Sequence, residues 1–194
     1  MDNEGYRALV DDLRAALARG QASGSKHEWP LPAREVDIEA WERRTGEPMS
    51  PSYRAFLLIQ DGWRDYAYGF TIVGASSVGF EAAHRDIGET VGIERDEWRQ
   101  TFGDDTSEAI ARYESEGSNL NPLEADWLPY VPENICFGTD FNGGLLCFDR
   151  ARRDERGEMP VFRWYIGTGT QARFDSFADM LRADLAELKA QGGA

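Results

Sequence analysis

Two short apolar runs on either side of an Asn-Gly pair constrain the fold of this chain more than any other feature. ENICFG occupies 133–138 and LLCFD occupies 145–149, with the polar segment TDFNGG between them. The pair Asn142-Gly143 is a strong hairpin signal, because both residues accept the positive φ that a tight turn requires. A third apolar run, VFRWYI, follows at 161–166. These runs predict an antiparallel sheet.

Helical periodicity precedes the predicted sheet. Apolar residues at three- and four-residue spacing mark an opening helix of about four turns, through Tyr6, Leu9, Val10, Leu13, Ala16 and Leu17. A second helix is predicted from about 34 to 45, with Gly46 at its end and Pro48 beyond it. YGFTIVG, at 68–74, alternates aromatic and β-branched residues and predicts the first strand.

The stretch SPSYRAFLLIQDGW, at 50–63, predicts a third helix. Ser50 is a suitable N-cap residue, and Pro51 fits the first helical position, where a missing N–H costs nothing. Gly62 supplies the left-handed residue that ends many helices. The large aromatic residue Trp63 stands just beyond this end. Either Trp63 folds back as a hydrophobic closure, or the junction presents it to a partner.

A closing helix completes the pattern. Ser176 followed by Asp179 forms a capping box, and an apolar stripe runs through Phe177, Met180, Leu181, Leu185 and Leu188. A brief strand near 172–174 precedes it. The order of helices, strand, insertion, antiparallel strands and helix predicts an α+β fold. We expect a mainly antiparallel sheet, packed by N-terminal helices and a C-terminal helix, with an acidic helical insertion.

The acidic composition limits the classes of partner. The 194 residues include 35 Asp and Glu against 21 Lys and Arg, a formal net charge of −14. Phosphate binding needs clustered Lys and Arg, so this charge argues against direct contact with nucleic acid or an anionic membrane. It favours rapid encounter with basic proteins.

Much of that charge is concentrated in one segment. Residues 81–128 contain thirteen acidic residues and four arginines, together with scattered Trp, Phe and Ile and weak helical periodicity. We expect two short helices there, near 93–102 and 105–115, lying over a core that other elements supply. The chain is therefore predicted to be a single domain over 1–194 with an insertion at about 81–128.

Targeting signals and cysteine usage indicate a cytoplasmic address. The start, MDNEGYRALVDDLR, lacks the basic residues and apolar run of a secretion signal. No apolar run approaches the length of about eighteen residues that a membrane span needs. Cys136 and Cys147 fall on the two arms of the predicted hairpin, where they could face each other. Because each is embedded among apolar residues, we interpret them as buried thiols rather than a redox pair.

No arrangement in the sequence indicates catalysis or a cofactor. His27 and His84 have no Cys or His at ligand spacing, and we interpret both as solvated surface histidines. No G-x-S-x-G motif is present. GTGTQA, at 167–172, matches a dinucleotide-loop pattern, but no βαβ unit surrounds it. We therefore expect a protein that is not an enzyme and that needs no cofactor or metal.

Two stretches together carry a family likeness. IEAWERRTGEPMSPSYRAFLLIQDGW, at 38–63, resembles the N-terminal signature of the SUKH superfamily. NICFGTDFNGGLLCFD, at 134–149, with MPVFRWYI and DSFADML after it, is similar to the strand, Asp- and Gly-rich turn, strand and closing helix of that family. The likeness covers roughly 36–75 and 129–189, and the family pattern says little about the insertion. The usual Asn-Gly after the first block is Asp61-Gly62 here.

The resemblance implies an α+β domain that works by binding and without catalysis. The family includes bacterial immunity proteins that neutralise the toxins of neighbouring cells, and fungal cell-wall synthesis regulators of the Smi/Knr type. Immunity proteins commonly occlude or clamp a toxin domain, often a basic nuclease or a nucleic-acid deaminase. The −14 charge suits such a partner. The landmarks of the resemblance are Asp61, Gly62, Trp63, Asp140, Gly143 and Asp149.

We expect the partner to be a cognate toxin protein, bound by a monomer or weak dimer. In an interface a few aromatic anchors ringed by polar residues carry most of the binding energy, and the acidic insertion has that composition. The predicted partner-binding residues are Asp96, Glu97, Trp98, Asp104, Asp105, Glu108, Tyr113, Glu114 and Glu116. An alternative for these residues stays open, in which the acids form a solvated face and the aromatics belong to the core. An alternative for the protein as a whole is a regulator or scaffold that binds an endogenous partner.

Overall fold

The computed structural model describes residues 3–20, 29–120 and 129–191, apart from the side chains of 3 and 116–120. Its helices are α1 (Asn3–Gly20), α2 (Glu35–Thr45), α3 (Pro51–Leu57), α4 (Glu81–Phe102), α5 (Ser107–Leu120) and α6 (Phe177–Gln191). Its strands are β1 (Thr71–Ile72), β2 (Ile135–Thr139), β3 (Gly144–Phe148), β4 (Val161–Tyr165) and β5 (Gly169–Phe174). The predicted α+β fold is confirmed.

The strands form one sheet in the order β1-β2-β3-β4-β5, and each neighbouring pair is antiparallel. The hairpin predicted at Asn142-Gly143 joins β2 to β3. Gly143 has a φ of +85°, but the second residue of this loop with a positive φ is Phe141, at +58°, and not Asn142 as the turn signal predicts. Oδ1 of Asp140 accepts the backbone N–H groups of Asn142 and Gly144, each at 2.8 Å. The Asp140 carboxylate therefore fixes the conformation of the turn.

An aromatic core joins the helices to the sheet. Helices α1, α3 and α6 pack on one another, and Tyr53 of α3 points inward between them and the strands. The Tyr53 ring lies 5.3 Å from Phe137, 5.2 Å from Phe148 and 4.9 Å from Phe177. Its hydroxyl donates to the carbonyl of Val73, so the one polar atom of this side chain is satisfied inside the core.

The segment after α3 answers the question of Trp63. Trp63 is buried and its ring stacks on Phe56 with centroids 6.2 Å apart. Its backbone pairs with Ile72 through hydrogen bonds of 2.7 and 2.8 Å. Trp63 therefore folds back onto the core. Gly62 has a φ of +86°, but α3 already ends at Leu57, so the prediction that Gly62 ends the helix directly is wrong.

Other local predictions need correction. Ser50 makes no side-chain cap bond to α3; its hydroxyl instead donates to Glu158 and accepts from the N–H of Met159. Helix α4 begins at Glu81, well before the predicted 93, because its first half packs into the core. Strand β1 has two residues, and a 3-10 turn replaces the start of the predicted strand. Residues 121–128 of the predicted insertion lie outside the described residues.

Candidate functional site

Helix α4 spans two hydrophobic clusters. Ala83 and Ile87, in its first half, belong to the main core beside the sheet. Trp98, in its second half, belongs to a separate cluster with Ile110 of α5 and Tyr130. We name that second group, with Ala109 and Tyr113 packed against it, the satellite cluster. We name residues 93–115 the acidic arm. The arm therefore has a hydrophobic centre of its own.

Three aromatic rings pack around Trp98 at tilted or edge-on angles. The Trp98 ring lies 4.9 Å from Tyr130, 5.4 Å from Phe102 and 6.2 Å from Tyr113. Trp98 is only 6% exposed and Tyr113 is partly buried. This packing agrees with the alternative interpretation of the sequence, in which Trp98 and Tyr113 belong to a hydrophobic core. An anchor role for either residue stays a prediction that requires the cluster to rearrange.

Phe102 is a strongly exposed aromatic residue of the arm. It is 49% exposed, although its ring also lies 5.1 Å from Tyr113. Phe102 is not among the partner-binding residues predicted from the sequence. Its position four residues after Trp98 could have suggested it, because residues at that spacing share one face of a helix.

Two of the predicted acids hold the arm together. Asp105 accepts hydrogen bonds from Nε of Arg99 at 3.1 Å and from Nη2 at 2.8 Å. It also accepts the hydroxyl of Tyr130 at 3.0 Å. Glu114 accepts the backbone N–H of Tyr130 at 3.2 Å. The Arg99 and Tyr130 donors hold the pKa of Asp105 below its usual range. These carboxylates are therefore committed to internal contacts.

The other predicted acids face solvent. Asp96, Glu97, Asp104 and Glu108 are all exposed. Within the described part of the chain, none of these four is in an ion pair. Glu116 lies in α5, but its side chain is outside the described residues. The structure thus separates the predicted site into an internal pair, Asp105 and Glu114, and a set of exposed carboxylates.

Glu94 is a titratable group of the arm that the sequence analysis missed. Burial raises its pKa to about 7, and the nearby charge of Glu97 adds to that rise. A carboxyl group that titrates near neutral pH is sensitive to anything that covers or exposes it. No sequence signal distinguishes Glu94 from the other acids, since its burial depends on the tertiary fold; Tyr113 of α5 lies close enough for its pKa to be affected by the Glu94 charge.

The landmark residues of the resemblance lie inside the fold. Asp61 accepts the backbone N–H groups of Ala75 at 2.5 Å and Ser76 at 3.2 Å. Burial raises the pKa of Asp61, and these two donors oppose the rise. Asp149 is 2% exposed and accepts from Arg152 at 2.8 Å and from Arg173 at 3.5 Å. With Gly62, Trp63, Asp140 and Gly143 described above, all six landmarks shape turns, loop ends or the core.

Cys136, Cys147 and His84 carry side chains that could be reactive. The Sγ atoms of Cys136 and Cys147 lie 3.0 Å apart across β2 and β3, as free thiols. Burial raises the pKa of Cys147, which disfavours its reactive thiolate form. His84 is half-buried, its Nε2 atom has no hydrogen-bond partner among the described residues, and burial lowers its pKa. The prediction that His84 is a solvated surface residue is wrong, and His27 lies outside the described residues.

Within the described residues, no group of three or more His, Cys, Asp or Glu side chains is arranged to hold a metal ion. No helix in that part of the chain is long and apolar enough to cross a bilayer.

Comparison with known proteins identifies one family. The model of the SMI1 / KNR4 family (SUKH-1) matches residues 32–183. This match includes the sheet, the acidic arm and the first part of α6. No curated protein matches the chain.

Proposed function

Because the chain belongs to the SMI1 / KNR4 family (SUKH-1), we propose that it acts by binding another protein. The proposed partner is a cognate bacterial toxin domain, a basic nuclease or nucleic-acid-modifying enzyme. This chain would be its cytoplasmic immunity protein, neutralising the toxin by occlusion and without catalysis. The observation that carries the proposal is that the arm exposes four carboxylates without ion-pair partners among the described residues, together with the half-exposed ring of Phe102.

Electrostatics explains how such a surface would recognise the partner. An enzyme that acts on nucleic acid presents basic side chains to phosphate groups. Asp96, Glu97, Asp104 and Glu108 offer exposed carboxylates to the same side chains. Complementary charge of this kind accelerates encounter and sets the orientation of binding.

An apolar contact is needed beside the charges, because exposed charge pairs contribute little affinity. Phe102 supplies it with a half-exposed ring that rests on Trp98 and Tyr113. A ring held in place by its neighbours loses little freedom on binding, and buried aromatic anchors are typical of interface hot spots. The arm therefore carries a half-exposed ring held by its neighbours, together with exposed carboxylates.

The first experiment is co-expression with the product of the adjacent gene. If that product is toxic alone, we expect this chain to rescue growth and to co-purify with it at one-to-one stoichiometry. An arm variant then maps the site: Asp96→Lys, Glu97→Lys and Asp104→Lys together. A matched variant reverses three exposed glutamates outside the arm: Glu39→Lys, Glu155→Lys and Glu187→Lys.

We expect the arm variant to slow association by about tenfold at low salt and the matched variant to do so far less. Equal effects would show that only the overall charge matters, which would contradict the site. A non-toxic neighbour that does not bind would favour the other role within the family, a regulator or scaffold of the Smi/Knr type with an endogenous partner.

A further inference from the structure

A cavity of about 450 Å³ lies where α1, the start of α3 and the start of α6 meet. Its polar lining comes from Tyr6 of α1, Glu158 before β4, and Asp179 and Arg182 of α6. None of its lining residues belongs to the acidic arm. The volume is within the range of about 300–1,000 Å³ that is typical of ligand sites.

The hydroxyl group of Tyr6 is the unusual feature of this cavity. Tyr6 is 3% exposed, and its oxygen has no hydrogen-bond partner among the described residues. A buried hydroxyl without a partner is costly, so a native structure rarely leaves one unexplained. Burial raises the pKa of Tyr6 and the charge of Glu158 raises it further, whereas Arg182 opposes the rise and Asp179 adds a smaller increase. Tyr6, Glu158 and Asp179 all line the cavity, so the buried hydroxyl group lies beside this space.

Glu158 is held rigidly at the cavity wall. Its Oε1 accepts the backbone N–H of Ser52 at 2.9 Å, and its Oε2 accepts the hydroxyls of Ser52 and Ser50. A carboxylate has about four lone-pair positions, so one position on Oε1 remains after these three bonds. Within the described part of the chain, no ion pair engages Glu158. Its negative charge is balanced only by neutral donors.

The charges around the cavity favour a cation. Glu158, Asp175 and Asp179 line it, against Arg156 and Arg182. Each of these arginines is already bonded to an aspartate, Arg156 to Asp154 at 3.1 Å and Arg182 to Asp179 at 2.5 Å. The lining therefore has one more carboxylate than guanidinium group, in a chain of net charge −14.

We propose that this cavity binds a guanidinium group, with the Tyr6 oxygen and Glu158 Oε1 as its acceptors. Such a group has several N–H donors and a positive charge. It satisfies the buried hydroxyl, the free position on Glu158 and the excess negative charge at once. The group could belong to a free cationic compound or to an arginine side chain of a protein. This site does not depend on the proposed function or on the acidic arm.

The test is a titration of the full chain, followed by ¹H–¹⁵N correlation NMR, at constant ionic strength. Arginine amide is the probe, and citrulline amide is the matched compound in which a neutral ureido group replaces the guanidinium. We expect saturable shifts around Tyr6 and Ser52 with arginine amide, with a Kd of about 1 mM, and none with citrulline amide. Equal shifts with both compounds, or no saturation with either, would overturn the proposal.

Tyr6→Phe isolates the hydroxyl, and Tyr68→Phe is the matched control outside the cavity. We expect Tyr6→Phe to weaken binding at least threefold and to leave the midpoint of thermal unfolding unchanged or raised, because it removes only an unpartnered polar atom. Unchanged affinity in Tyr6→Phe would overturn the assignment. The capped peptide Gly-Arg-Gly distinguishes the two sources: it binds if a protein side chain is the occupant, and only free arginine amide binds if a small compound is.

Discussion

The hydroxyl group of Tyr130 donates a hydrogen bond to Oδ2 of Asp105 over 3.0 Å. This bond joins the connection between α4 and α5 to the segment that enters β2. Glu114 accepts the backbone N–H of the same tyrosine, so the α4–α5 connection and α5 each contact Tyr130 through a carboxylate. Two acids of the predicted partner-binding set are therefore part of the framework, and changing them alters the arm before it alters any contact with a partner.

Tyr130→Phe is the most conservative test of that framework. It removes the bond to Asp105 and keeps the ring against Trp98. We expect faster hydrogen exchange of the backbone amides in 93–115, with unchanged exchange in β2 to β4, because only the arm loses a contact. Asp104→Asn, at an exposed neighbour, is the control and should change neither region. Faster exchange throughout the sheet would contradict this division.

Trp98→Ala and Phe102→Ala separate the interior of the arm from its surface. Trp98→Ala opens the centre of the satellite cluster and should lower the free energy of unfolding by about 3 kcal/mol. Phe102→Ala removes a ring that is 49% exposed, so its cost should stay below about 1 kcal/mol. Chemical denaturation measures both. Under the proposed function, Phe102→Ala should still weaken partner binding, and full affinity in this variant would remove Phe102 from the interface.

Glu94→Gln should change how stability depends on pH. The raised pKa means that the native state binds more protons than the unfolded state between pH 4.5 and about 7, so stability falls as pH rises through that window. Above it, the ionised carboxylate continues to destabilise the fold. We expect Glu94→Gln to add about 1 kcal/mol to the free energy of unfolding at pH 8, a value that allows for solvent screening of a half-exposed group. Little difference is expected at pH 4.5, and an equal gain at both values would contradict the titration.

Gly62→Ala and Gly46→Ala compare two glycines of similar backbone conformation. Gly46 has a φ of +71° and no atom within 4 Å of an added Cβ. Its substitution should cost about 1 kcal/mol, the strain of a left-handed residue. At Gly62 an added Cβ would lie 2.5 Å from the Phe80 ring and 2.7 Å from backbone atoms of Ile72 and Gly74. We expect a loss of about 3 kcal/mol or more there. Similar midpoints of thermal unfolding for the two variants would show that the close approach is unimportant.

Features that the sequence could predict are those determined by neighbouring residues. The turn at Asn142-Gly143, the capping box of Ser176 and the end of α2 at Gly46 all follow from local stereochemistry. The Ser176 hydroxyl indeed accepts the N–H of Asp179 at 3.2 Å. The family likeness added the order of the elements around these points.

Features that depend on distant contacts were missed. A helix was predicted only near 93–102, yet α4 begins at Glu81 and continues through Gly88 and Gly92, because packing of Ala83 and Ile87 on the core outweighs the weak helix propensity of glycine. Tyr6 was assigned to an apolar stripe by its spacing, which is correct for its ring. That spacing contains no information about the hydroxyl, whose surroundings come from Glu158 and α6.

The two hydrophobic clusters along α4 have an evolutionary consequence. Substitutions in the acidic arm repack around Trp98, Ile110 and Tyr130, whereas the sheet keeps its own core around Tyr53. A lineage can therefore rewrite the arm to follow a changing partner while the inherited scaffold still folds. Under the proposed function, diversification and foldability would then be selected in different parts of one chain, joined by a long helix that enters both clusters.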